Sequence, residues 1–137
     1  MLNRNYIAIC LFLMSLTLTA QYTLQGNAVS VGGSCYQLTE AAGGQVGAVW
    51  YDETIDLAQP FDLQFKMNFG TNSGNGSSST PGADGMVFVM QTIGPSAIGN
   101  AGDGIGYEGF LPSLGVEFDT YWNELNGDLI EDHIAII

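Results

Sequence analysis

Glu117 and Asp119 alternate with Phe118 and Thr120, and Tyr121 follows. On an extended backbone this period of two puts both carboxylates on one face, about 7 Å apart. Aligned anions repel, and the chain has almost no base to set between them: Lys and Arg total 2 against 14 Asp and Glu. A fold that keeps this stretch ordered needs a cation from outside, which makes a bound metal the first expectation. The next residues supply suitable ligands. Asp119, Asn123 and Asp128 offer side-chain oxygens, and the Tyr121 carbonyl offers another. Hard cations such as Ca2+ take six to eight oxygens of these kinds.

A second set overlaps the first. Glu117, Asp119, Asp128 and His133 combine oxygen with one nitrogen, a mixture suited to a transition metal such as Mn2+. Two ions then share Asp119 and Asp128, and residues 123–132 form a loop around them. Asn126-Gly127 is the turn signal of that loop. The EF-hand pattern does not fit, because Glu124 and Ile130 stand where it needs Gly and Glu.

At these residues the chain resembles the L-type, legume-lectin-like carbohydrate-binding family. That family's metal segment reads E-x-D-T-[FY]-x-N, then an Asp, then H-I-x-I. Glu117, Asp119, Thr120, Tyr121, Asn123, Asp128, His133 and Ile134 fall at matching positions. Leu129 and Ala135 depart from it, standing where relatives often have Pro and Gly. The resemblance implies a calcium ion beside a transition-metal ion, with Asn123 also reaching the sugar.

Ala83-Asp84-Gly85 opens onto the apolar run Met86 to Met90. From physics alone, Asp84 is a turn former at the mouth of a strand buried on both faces. The resemblance implies instead that Asp84 is the sugar-binding carboxylate, with a cis Ala83–Asp84 peptide. It further implies that the glycine-rich stretch Gly102-Asp103-Gly104-Ile105-Gly106 lends the Gly104 N–H to the sugar. Asp103 stands where many relatives have Gly. Tyr121 is placed to stack on the ring. A phosphate loop is disfavoured there, since no Lys follows and the surroundings are acidic.

The remaining sequence reads as strands. Tyr22 to Val31 forms one or two, broken at Gly26; Cys35 to Thr39 and Val46 to Tyr51 form others, with Trp50 as an apolar anchor. Phe61, Leu63, Phe65, Met67 and Phe69 alternate with polar residues, the cleanest strand pattern in the chain. No stretch has a helical period. The expected class is all-β, and the resemblance implies an antiparallel β-sandwich of jelly-roll, concanavalin-like form. The chain ends at Ile137 inside an apolar run, so the expectation is a domain incomplete at its C-terminal end. Residues 21–137 are read as the N-terminal part of that domain.

Residues 1–20 read as a secretory signal: Arg4, an apolar run from Ile7 to Leu18, then Thr19-Ala20. The run is short for a membrane span. A secreted or cell-surface location is expected, with Cys35 the one cysteine beyond the signal and read as a small buried apolar group. One base against 14 acids in that part makes nucleic acid and anionic membrane poor partners. Glycans are the expected partner.

With one His, a Ser/His/Asp or Cys/His set has little to build on. A jelly-roll glycoside hydrolase is the alternative suggested by Glu117-Phe118-Asp119. The nearest following positions hold Tyr121 and Trp122 in place of a second Glu, so the acid/base is missing. A metal-binding structural or adhesion module that binds no glycan is the other alternative. The expectation is a non-enzyme.

Overall fold

The computed structural model describes residues 22–70 and 82–137. The signal segment 1–20 and most of the polar loop expected over Thr71 to Gly82 lie outside the described residues. Among the described residues there are seven strands: β1 Tyr22–Gly26, β2 Val29–Gly32, β3 Cys35–Gln37, β4 Gly47–Tyr51, β5 Gly85–Gln91, β6 Ser113–Asp119 and β7 His133–Ile136. The rest is turn and loop, with two three-residue 3₁₀ turns at Gly102–Gly104 and Glu124–Asn126. The class is all-β and every strand pair is antiparallel, as a β-sandwich of this kind requires. None of the described helices is long and apolar enough to cross a membrane.

β1 pairs with β4, β2 pairs with β3, and β6 runs between β5 and β7. The three-stranded sheet positions the site. Its register sets Gly85 and His133 on either side of Asp119, and Val87 and Ala135 on either side of Glu117. Residues directly opposite in an antiparallel ladder share a face. Glu117, Asp119 and His133 therefore rise from the same side of the sheet. Gly85 is required beside Asp119. A Cβ there would collide with the Phe118 carbonyl oxygen and lie 3.1 Å from the Asp119 Cα.

β4 packs against the long connection from β5 to β6. The Trp50 indole donates to the Ala97 carbonyl at 2.7 Å. Trp50 meets Phe110 edge-on at 6.1 Å, and Tyr107 meets the same ring edge-on at 6.4 Å. Such pairs contribute about 0.5–1.5 kcal/mol each beyond area burial. Ala97 and Phe110, at 7% and 8% exposure, are the buried apolar residues among those described. Trp50 thus anchors the connection that carries the glycine-rich loop.

Three expectations need correction. The alternating stretch 61–69 has no assigned strand, and its residues are exposed apart from a half-buried Met67. Alternation alone does not make a strand, because each backbone group needs a ladder partner, and none is assigned to this stretch among the described residues. Phe65 stacks instead on Phe88 of β5, with ring centroids 5.3 Å apart. Cys35 is exposed, not buried, because it lies on β3 of a two-stranded ribbon that is mostly exposed. β5 is half-buried along its whole length where burial on both faces was expected. It is one of the two outer strands of its three-stranded sheet.

Candidate functional site

β6 ends at Asp119. Its Oδ1 accepts the Tyr121 N–H at 2.7 Å, a local turn that takes the chain out of the ladder. The period of two therefore stops at Asp119, and Tyr121 lies beyond the strand that the sequence pattern extended through it. Asp119 is 6% exposed and is the buried charged residue of the described chain. Burial pushes its carboxyl above the usual carboxylate range. The Tyr121 N–H opposes that shift, Asp128 reinforces it and His133 opposes it.

Asp128 comes back to this face from the loop after Asn123. Its Oδ2 accepts the Asn123 N–H at 3.1 Å, and its Oδ1 accepts the Leu129 N–H at 2.8 Å. The same Oδ1 lies 3.3 Å from the His133 Nε2. The other ring nitrogen of His133 is 3.2 Å from the Glu131 carbonyl, which fixes the ring plane. One ligand atom each from Asp119, Asp128 and His133 fall within 4.8 Å of one another. The three side chains, with mixed oxygen and nitrogen donors, therefore converge closely enough to make a candidate metal site. Glu117 stands one step along β6. Burial raises its carboxyl above the usual range, Asp119 adds to this, His133 opposes it and Asp128 adds again. Glu117 therefore feels the charge of the other three expected second-set ligands.

The loop from Asn123 to Asp128 is shaped by its own hydrogen bonds. Asn123 accepts the Asn126 N–H at 2.9 Å, and Glu124 accepts the Gly127 N–H at 3.3 Å. Gly127 closes the turn at φ 73°, a left-handed conformation that glycine takes without penalty.

Asp84 reaches the same place from the position just before β5. Its carbonyl accepts the Thr120 N–H at 2.9 Å and the Thr120 hydroxyl at 3.3 Å. The Ala83–Asp84 peptide is cis. Burial raises the Asp84 carboxyl above its usual range, and Asp119 and then Asp103 push the same way. A hydrogen bond from the Asn123 side chain opposes them. Asp84 and Asn123, far apart in sequence, are therefore neighbours.

The glycine-rich loop forms the third wall. Gly104 is buried, and its carbonyl accepts the Tyr107 and Glu108 N–H groups at 3.0 Å each. A Cβ on Gly104 would lie 2.9 Å from the Asn100 Cβ and 3.0 Å from the Glu108 Cβ, so the loop closes only over glycine. Asn100 and Glu108 brace it through a 3.0 Å side-chain hydrogen bond. Asp103, exposed beside Gly104, accepts the Asn126 side-chain N–H at 3.0 Å and ties this loop to the metal loop.

The structure thus brings together Asp84, Asn123, Glu117, Asp119, Asp128 and His133. Tyr121 joins them through its backbone. Gly104 sits in the loop wall, and its exposed neighbour is Asp103. Sequence reasoning gave Asp103 no role, read Asn126 only as part of a turn, and did not foresee the Thr120 clamp on Asp84. Thr120 was visible as a motif position. The Asp103–Asn126 link joins two loops and leaves no local pattern.

Residues 14–137 match the family described as legume lectin beta-barrel domain. The pesticidal crystal protein Cry22Aa of Bacillus thuringiensis is 30% identical over 86 residues, covering 63% of this chain. The chain spans 11% of that relative's length. Members of the family typically bind metal ions, have a carbohydrate-binding lectin fold, and are generally non-catalytic. With its antiparallel all-β fold and a match running over most of its length, this chain belongs to the legume lectin beta-barrel, or L-type lectin, domain family.

Proposed function

We propose that this chain is a secreted or cell-surface lectin domain that binds glycans without transforming them, and that Ca2+ is required for binding. The observation that carries the reading is the convergence of Asp84 with the acidic cluster. The Asp84 carbonyl is held by the Thr120 N–H at 2.9 Å, one residue after Asp119, while the Asn123 N–H holds Asp128 at 3.1 Å, and Asp119, Asp128 and His133 bring ligand atoms within 4.8 Å of one another. Calcium, when bound, supplies positive charge that offsets the crowded carboxylates. The proposed ligands are Asp119, Asn123, Asp128 and the Tyr121 carbonyl. Glu117, Asp119, Asp128 and His133 would hold a second, transition-metal ion such as Mn2+.

On this reading the protein's own residues do the recognition. Asp84 accepts from two sugar hydroxyls, the Asn123 amide donates to one of them, and the Gly104 N–H, set in the loop wall, is the third contact. The Tyr121 ring offers a face to the sugar's C–H surface. The site is shallow and polar and must displace well-bound water, so single-sugar affinity is expected to be weak, with strength coming from multivalent display. The jelly-roll hydrolase alternative is disfavoured by the chain path. β6 ends at Asp119, so no later carboxylate continues the strand face on which Glu117 and Asp119 lie.

Glycan-array binding by the calcium-loaded protein, compared with its Asp84→Ala variant, tests the reading. Binding by the parent and not by the variant is expected. Equal binding by both would remove Asp84 from the site and the proposal with it.

A further inference from the structure

We propose that Asp103 is a specificity-determining residue that makes this site favour neutral and amino sugars over acidic ones. The inference rests on the carbohydrate reading above and adds the charge class of the ligand. Asp103 is fixed by its 3.0 Å hydrogen bond from Asn126. Asn126 in turn donates its N–H to Asn123. The carboxylate is therefore pinned to the turn that begins at Asn123, the residue whose backbone N–H holds Asp128 at 3.1 Å. Asp103 also raises the Asp84 carboxyl, as expected of a neighbouring anion.

No base balances this pair nearby in the chain. Among the described residues Lys66 stands alone as a Lys or Arg, on the exposed 61–70 segment. Nor do metal ions cancel it. One divalent ion offsets two of the three carboxylates Glu117, Asp119 and Asp128. A second ion leaves that trio with one surplus positive charge, against two negative charges at Asp84 and Asp103. The opening stays anionic in either state. A carboxylate or sulfate on the sugar is repelled, an ammonium is attracted, and a neutral hydroxyl feels little. Discrimination of this kind works by penalising the wrong ligand. Because Asp103 is exposed, the effect is screened by salt.

The test compares matched sugars on the calcium-loaded full chain by NMR titration at low ionic strength. The probes are glucose, glucosamine and glucuronate, and the galactose, galactosamine and galacturonate series. In whichever series binds, the uronate is expected to bind at least about tenfold more weakly than the neutral sugar, about 1.4 kcal/mol. The amino sugar is expected to bind at least as well as the neutral one. Asp103→Asn keeps an oxygen for Asn126 and removes the charge, so the neutral-to-uronate ratio should drop to about threefold or less. Salt of about 0.3 M should compress the ratio in the unmodified protein without any substitution. An unchanged ratio in Asp103→Asn, or a uronate that binds as well as its neutral partner, overturns the assignment while leaving the lectin reading intact. Failure of every neutral sugar to bind in both series overturns the two together.

Discussion

Replacing Asp119 with Asn separates the two roles the structure gives this residue. The amide keeps an oxygen for the Tyr121 N–H, now 2.7 Å from Oδ1, so that hydrogen bond and its net value of about 1 kcal/mol survive. What is lost is a negative charge on a residue only 6% exposed, facing Asp128 and Glu117. Without metal, that loss relieves desolvation and repulsion, and Asp119→Asn should be more stable by on the order of 1 kcal/mol. For a chain of this length that is a rise in Tm of about 4 °C. With calcium the sign reverses. A charged ligand proposed to serve both ions becomes neutral, and calcium affinity should drop about 100-fold, about 2.7 kcal/mol. Asp119→Ala is the control. It also loses the Tyr121 bond and should lie about 1 kcal/mol below the Asn variant when metal-free. Scanning calorimetry with and without chelator, together with calcium titration calorimetry, gives both readouts. A metal-free Asp119→Asn protein less stable than the parent, still binding calcium with parental affinity, would refute the reasoning.

Other outcomes follow from single residues. Gly85→Ala should destabilise the protein by about 1–3 kcal/mol in chemical denaturation, because its Cβ meets the Phe118 backbone on the adjacent strand. Leu125→Ala, at a residue 99% exposed, should change stability by less than about 0.5 kcal/mol in the same assay. Asp84, Glu117 and Asp119 all have carboxyls raised above their ordinary values. Each therefore contributes stability that is complete below the unfolded-state range of about 4 and is lost as pH rises through the raised value. The metal-free Tm should fall as pH rises from that range toward neutrality, and added calcium should raise Tm most at the neutral end.

The strands were largely readable because period-two apolar patterns and glycine punctuation are local. β1, β2, β3, β4 and β6 lie inside or beside the stretches where alternation placed them. The 61–69 stretch shows the limit: it has the cleanest alternation, yet its Phe65 packs on Phe88 and no ladder is assigned to it. Pattern reports which face is apolar, not which neighbour supplies hydrogen bonds. Cys35 illustrates the same point, since a small apolar residue is buried only if a second layer covers its ribbon. In the site, the cluster of acids from Glu117 to Asp132 was legible from charge alone, because no base was available to offset it. Asp84 needed the family resemblance, since nothing local ties residue 84 to residue 123. The Asp103–Asn126 hydrogen bond was illegible, being a tertiary contact between two irregular loops.

The proposed role of divalent cations on the Asp119–Asp128–His133 face, holding the glycan-binding side chains in place, is tested most directly by glycan binding of one protein sample measured loaded with calcium, then stripped with chelator, then reloaded. Binding, loss and recovery are expected in that order. Binding that persists at full strength through the chelator step would contradict it.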